Sequence, residues 1–193
     1  MDTRSAVRLI EGAVHGTGGV WADLGSGDGT FTLALSELLG PSSRIYAIDK
    51  DAGALSRLRD REPSQAHIIL VTADFTRTLD LPPHDGMLDG ILFANSLHFV
   101  QEQDRVLARW TARLRPEGRA VFVEYDRRSA NRWVPYPIPP ERLEKLTAST
   151  GLSVPVITAT QPSAFSGSLY VAVAMAGPAA SARGNARPDV LLQ

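Results

Sequence analysis

Gly19-Val20-Trp21-Ala22-Asp23-Leu24-Gly25-Ser26-Gly27-Asp28-Gly29-Thr30-Phe31 is the stretch that decides the fold. An apolar run from Val20 to Leu24 meets three alternating glycines and passes into Phe31, Ala34, Leu35 and Leu38. Those four fall at i, i+3, i+4 and i+7, one face of a helix. The segment therefore reads strand, glycine turn, helix: a βα unit that opens a nucleotide pocket. Glycine permits backbone angles closed to residues with a Cβ and lets a ligand lie against the main chain. The helix start offers free N–H groups and a positive dipole end.

The spacing separates two classes of ligand. A dinucleotide fingerprint needs Gly-x-Gly-x-x-Gly, whose third glycine packs helix on strand beside a pyrophosphate. Here the third glycine, Gly29, comes one residue early and Thr30 holds the fingerprint position. An acid, Asp23, also stands inside the strand end. It would repel a pyrophosphate but could accept hydrogen bonds from an ammonium group.

Further along, Arg44 to Asp49 reads as a second strand ending in an acid. Asp49 lies 24 positions after Gly25, near the offset of about 20 at which a carboxylate grips ribose hydroxyls. The other reading makes it the N-cap of the helix carrying Leu55 and Leu58, a task Asp51 can perform alone. His67 to Thr72 is a β-branched run suited to a strand buried on both faces, and Asp74-Phe75 follows it. After the breaker-rich loop Leu81 to Met87, Leu88 to Asn95 makes a fourth strand, followed by Ser96-Leu97-His98-Phe99-Val100. Val106, Trp110 and Leu114 form the buried face of a helix over 102–115. The parallel stripe Arg105, Arg109, Arg113 reads as its solvated face. Arg119 to Tyr125 is the fifth strand.

Residues 127–140 hold Trp133, Tyr136 and four prolines, a composition that suits either a substrate wall or a stiff strap. A short helix from Pro140 ends at Gly151. Val154 to Ala159 and Ser168 to Ala174 then pair as an antiparallel hairpin. Residues 3–14 form an amphipathic helix that reads as a lid over the sheet edge, with a glycine hinge at 15–19. The expected fold is α/β: a doubly wound, mostly parallel seven-stranded sheet with a C-terminal antiparallel hairpin. One domain is expected over residues 1–176, with 177–193 a disordered tail on composition.

The bulk composition excludes several functions. A net charge of -1 argues against broad capture of nucleic acid or an anionic membrane surface. With no cysteine there is no disulfide and no thiolate nucleophile, and the four histidines lack metal-binding spacing, so no metal is expected. The N-terminal segment lacks an apolar signal core, and no run approaches the ~20 apolar residues of a membrane span. A cytoplasmic protein acting on a small molecule is the expectation.

The motif Asp23-Leu24-Gly25-Ser26-Gly27-Asp28-Gly29 resembles the first motif of class I S-adenosylmethionine-dependent methyltransferases, of the small-molecule, type 11-like group. Residues 88–100 and the turn Leu114-Arg115-Pro116-Glu117-Gly118 before an apolar strand are similar to that family too. The resemblance runs over nearly all of residues 5–176 and implies the Rossmann-like methyltransferase fold. It also implies S-adenosyl-L-methionine as cofactor, held by Asp23, Gly25, Ser26, Gly27, Asp49, Lys50, Asp74, Phe75 and Asn95. Asp49 would take the ribose, Asp74 the adenine amino group, Phe75 the adenine ring and Asn95 the methionine part. His98 is the candidate base, since imidazole ordinarily titrates near neutrality; with Tyr125, Trp133 and Tyr136 it is a candidate for the acceptor pocket. Two rivals stand beside this reading: a non-catalytic cofactor-binding or interaction protein, and, against the glycine spacing, an NAD-dependent oxidoreductase.

Overall fold

The computed structural model describes residues 1–178 except 15, 17, 62–64, 82–86 and 164–166. Residues 15 and 17 of the expected hinge, most of the expected breaker loop, and the expected tail beyond Pro178 lie outside the described residues.

The glycine stretch folds as expected. Strand β1 (Gly19–Leu24) passes through the turn into helix α2 (Thr30–Leu39), preceded by helix α1 (Thr3–Ile10). The chain continues as β2 (Ser43–Asp49), α3 (Ala52–Arg59), β3 (His67–Thr72) and β4 (Leu88–Ala94). A short 3₁₀ turn, Leu97–Phe99, leads to α4 (Gln103–Thr111), β5 (Leu114–Asp126), α5 (Pro140–Ser149), β6 (Val156–Pro162) and β7 (Ser168–Met175). The strands form one sheet in the order β3-β2-β1-β4-β5-β7-β6. All neighbours from β3 to β5 pair in parallel, whereas β7 runs antiparallel to both β5 and β6. This is the doubly wound sheet with one reversed strand that the sequence pattern implied.

Two apolar layers cover the sheet. On one face α1 and α2 bury Ala6, Ile10, Leu35 and Leu39 against Trp21, Ile45, Leu92 and Val121. On the other, Leu107 and Trp110 of α4 and Leu143 and Leu146 of α5 pack on Ile91, Phe93, Ala120 and Phe122. Local chemistry sets the helix ends. Asp51 accepts from the backbone N–H groups of Gly53 and Ala54 and caps α3. Pro140 occupies the first turn of α5, where no N–H is needed.

The structure shifts some boundaries. Helix α1 ends at Ile10 rather than 14, and packs on α2 beside β6. Leu114, expected on the buried face of α4, instead starts β5 and pairs with Leu88; it remains buried, so the apolar signal was correct and its period was not. Strand β6 begins two residues later than expected, leaving Val154 and Pro155 outside it. Among the described residues no helix is long and apolar enough to cross a membrane.

Candidate functional site

Strand order reverses between β1 and β4, the crevice where open parallel sheets take their ligands. A cavity of about 390 Å³ opens there, over the carboxyl ends of the strands. Gly25 follows β1, Asp49 ends β2 with Lys50 next, Ala73 to Thr76 follow β3, and Asn95 and Ser96 follow β4; all of these line it, with Phe99 and Val100. Five of the nine residues expected to hold a cofactor, besides Gly25, thus share one wall system: Asp49, Lys50, Asp74, Phe75 and Asn95.

The glycine turn is tied to β2. Gly25 and Ser26 donate their backbone N–H groups to the Ile48 carbonyl, and Gly27 N–H donates to Asp49 Oδ2 at 2.8 Å. Asp49 Oδ1 accepts from Asp51 N–H at 2.9 Å. Asp49 therefore does not cap α3. Gly25 sits at φ +82, and a Cβ there would stand 2.6 Å from the Ser96 Cβ. The site requires glycine at that point on both conformation and space.

Asp23 is fully buried at the end of β1. Its Oδ2 accepts from the Thr32 hydroxyl at 2.6 Å, while Oδ1 has no partner. Burial pushes its carboxyl up to about 7, against the Thr32 hydrogen bond and aided by the nearby Asp49 charge. Ser26 Oγ, Asn95 Oδ1 and Ser96 Oγ are also buried and unpaired. Four orphaned oxygens thus cluster at the ends of β1 and β4. Asn95 holds φ +54, a strained conformation outside glycine that recurs at ligand sites.

On the far side, Asp74 Oδ1 accepts from both the N–H and the hydroxyl of Thr76. Burial pushes the Asp74 carboxyl up, but these hydrogen bonds and the Arg77 charge outweigh it and hold it below its ordinary value. Phe75 meets Phe93 edge-on with ring centroids 5.9 Å apart.

The structure places His98 differently from the other candidates. Its side chain is only 2% exposed and is not part of the cavity wall. His98 Nδ1 lies 2.6 Å from Oε2 of the fully buried Glu124, whose Oε1 accepts from the His98 backbone N–H at 3.3 Å. Burial pushes the Glu124 carboxyl up, against the hydrogen bond and charge of His98. The His98 ring packs 4.4 Å from Phe99 and 5.8 Å from Tyr125. Tyr136 N–H donates to the His98 carbonyl, so the 127–139 loop is fastened to the same 3₁₀ turn. Val134 and Ile138 bury into the core and the Tyr170 hydroxyl donates to the Ile138 carbonyl at 2.7 Å. Trp133 is 62% exposed on this loop. Sequence reasoning missed Glu124, although an acid inside the apolar run Val121 to Tyr125 was the available signal. It also missed Ser96, Thr76, Phe99 and Val100 as wall residues, because short loops carry no periodicity.

The chain matches the family model described as "Methyltransferase domain" over residues 22–122. It is 29% identical over 108 residues to the 2-phytyl-1,4-naphtoquinone methyltransferase of Trichormus variabilis, covering 54% of this chain and 46% of that protein. It is 25% identical over 122 residues to the ubiquinone/menaquinone biosynthesis C-methyltransferase UbiE of Geobacter sulfurreducens, covering 63% and 46%. The matched parts amount to less than half the length of these curated relatives. In fold it is similar to the Burkholderia thailandensis 1,6-didemethyltoxoflavin-N1-methyltransferase, solved with that substrate and S-adenosylhomocysteine: TM-score 0.67, 22% identity, 91% of this chain and 78% of that one. The Synechocystis magnesium protoporphyrin IX methyltransferase with bound S-adenosylmethionine superposes with TM-score 0.62 at 14% identity, over 91% and 78%.

Proposed function

Because the chain belongs to the methyltransferase-domain family, we propose that it transfers a methyl group from S-adenosylmethionine to a small-molecule acceptor. The observation that carries this reading is the cluster of acceptor oxygens around one crevice. Asp23 Oδ1, Ser26 Oγ, Asn95 Oδ1 and Ser96 Oγ are buried without partners, and Asp49 and Asp74 line the same cavity. Buried polar atoms are costly unless satisfied, and this set suits a ligand with an ammonium group, a ribose diol and an exocyclic amine. It does not suit a pyrophosphate, since Lys50 is the one cation in that wall among the described residues.

When bound, the cofactor supplies an electrophilic methyl on a sulfonium. The protein's own task is to align the acceptor in line with it and exclude water. In this reading Asp23 takes the ammonium, Asp49 the ribose hydroxyls and Asp74 the adenine amine, with Phe75 against the ring. Ser26, Asn95 and Ser96 serve the amino-acid part. We propose His98, oriented by Glu124 through Nδ1, as the base, although its buried ring stands outside the cavity wall. The curated relatives' names point to quinone-related compounds as the acceptors to try first.

Calorimetry with S-adenosylhomocysteine and with NAD is the primary test, followed by radiolabelled methyl transfer from S-adenosylmethionine to a panel of quinols and phenols. Binding of S-adenosylhomocysteine with transfer to a panel member supports the proposal. Binding of NAD alone would overturn it. Cofactor binding without transfer to any acceptor favours the non-catalytic rival.

A further inference from the structure

We infer that helix α4 and the turn that follows it form a bracket that sets both walls of the cavity, with Gln103, Arg109 and Trp110 of the helix and Arg113 of the turn as positioning residues. The assignment of those walls to cofactor and acceptor rests on the methyltransferase reading above. The sequence pattern marks Arg105, Arg109 and Arg113 as a solvated stripe, but only Arg105 behaves so, pairing with the exposed Glu102 at 3.3 Å.

The other donors reach loop carbonyls. Arg109 Nη1 donates to the Thr76 carbonyl at 2.5 Å, Trp110 Nε1 to the Phe75 carbonyl at 3.0 Å, and Arg113 Nη2 to the Leu79 carbonyl. Trp110 is buried, and the Arg113 guanidinium lies over its ring, 5.2 Å from the centroid. From the first turn of the same helix, the buried Gln103 Nε2 donates to the Tyr136 carbonyl at 2.8 Å. Tyr136 in turn donates its N–H to the His98 carbonyl.

These bonds fall on irregular backbone. Phe75 and Thr76 line the cavity, yet residues 73–79 belong to no strand or helix. Their internal ties are short-range, among them Thr76 N–H to Asp74 Oδ1 and Arg77 N–H to the Asp74 carbonyl. Two donors from one core-packed helix and a third from the turn after it therefore fix a loop that could otherwise move as a unit. They set where the Asp74 carboxylate and the Phe75 ring stand. Gln103 does the same for the 127–139 loop and, through Tyr136, for the His98 turn.

The test uses the full chain. Arg109→Met and Trp110→Phe each delete one donor while keeping bulk; Arg109→Lys restores a donor; Arg105→Met is the control on the same helix. Hydrogen–deuterium exchange of the ligand-free protein reads the loop directly at the Thr76 and Arg77 amides, and calorimetry reads S-adenosylhomocysteine affinity. The expected result is faster exchange at 74–79 in Arg109→Met and Trp110→Phe. Affinity should weaken roughly fivefold for each lost hydrogen bond, with recovery in Arg109→Lys and no change in Arg105→Met. Unchanged exchange at 74–79 overturns the bracket, whether or not the melting temperature falls. A wild-type chain that binds no S-adenosylhomocysteine sinks the methyltransferase reading instead, and the exchange data still decide the bracket.

Discussion

Gly27 N–H and Asp49 Oδ2 are 2.8 Å apart, a bond that joins the glycine turn after β1 to the end of β2. Asp49 therefore does two jobs, anchoring the turn and presenting a carboxylate to the cavity.

Substituting Asp49→Ala removes both. Hydrogen bonds to a charged group contribute about 1.5–3 kcal/mol each, so the dissociation constant for S-adenosylhomocysteine should rise roughly tenfold or more. Calorimetry on folded variant, checked by circular dichroism, measures it. An unchanged constant would remove Asp49 from the site.

Asp23 makes cofactor affinity depend on pH. Its carboxyl is pushed up to about 7 in the ligand-free fold, so near neutrality it is only half ionised. The ionised form is the one that accepts from an ammonium group. Affinity should therefore rise with pH and flatten above 7, gaining about tenfold between pH 6 and 8. The stability effect has the opposite sign. The folded protein holds a proton that the unfolded chain, with an ordinary carboxyl at 3.8, releases; stability should fall as pH rises from about 4 to 7. Asp23→Asn should flatten both profiles, and a wild-type affinity that does not vary over this range would contradict the assignment.

Glu124 and His98 form a fully buried pair, so removing one partner strands the other. Glu124→Ala should cost about 3–5 kcal/mol of stability, read by urea unfolding, and Glu124→Gln, which can still accept from Nδ1–H, should cost clearly less. Equal losses in the two variants would show that packing, not the hydrogen bond, matters there.

As a base, His98 has a distinct kinetic signature. His98→Gln should lower turnover by about 10²–10⁴-fold and leave S-adenosylhomocysteine affinity unchanged. A small loss would reduce His98 to a fastener of the 3₁₀ turn.

Gly29 tests the turn itself. At φ +85 it starts α2, and a Cβ would lie 2.2 Å from Leu58 Cδ1. Gly29→Ala should destabilise the protein by about 1–3 kcal/mol from backbone strain alone, with more from the clash. A melting temperature equal to wild type would refute the packing argument.

The sheet was legible in the sequence because its signals are local. Apolar runs of strand length, helical spacing after the glycines, and breakers between them lie within a few residues of one another, so β1 to β5 and the closing hairpin could be placed from the order of residues. The positions of Asp49, Asp74 and Asn95 followed as well, since a residue at the end of a parallel strand has its place fixed by the sheet. The division of labour between Asp49 and Asp51 was also readable, because one N-cap suffices for one helix.

What the sequence could not decide depends on contacts between distant segments. His98 and Glu124 are 26 positions apart, and nothing local says that the imidazole turns into the core toward that acid. The arginines at 109 and 113 have the spacing of a solvated stripe. Only the folded position of residues 75–79 beside α4 supplies the carbonyls that they bind. Leu114 keeps the helical period yet joins a strand, because its partner Leu88 lies on the neighbouring element. Periodicity and turn chemistry fix which residues form the frame. Which polar groups meet across it is decided by burial, since each donor or acceptor taken out of water must find whatever partner the packing brings within reach.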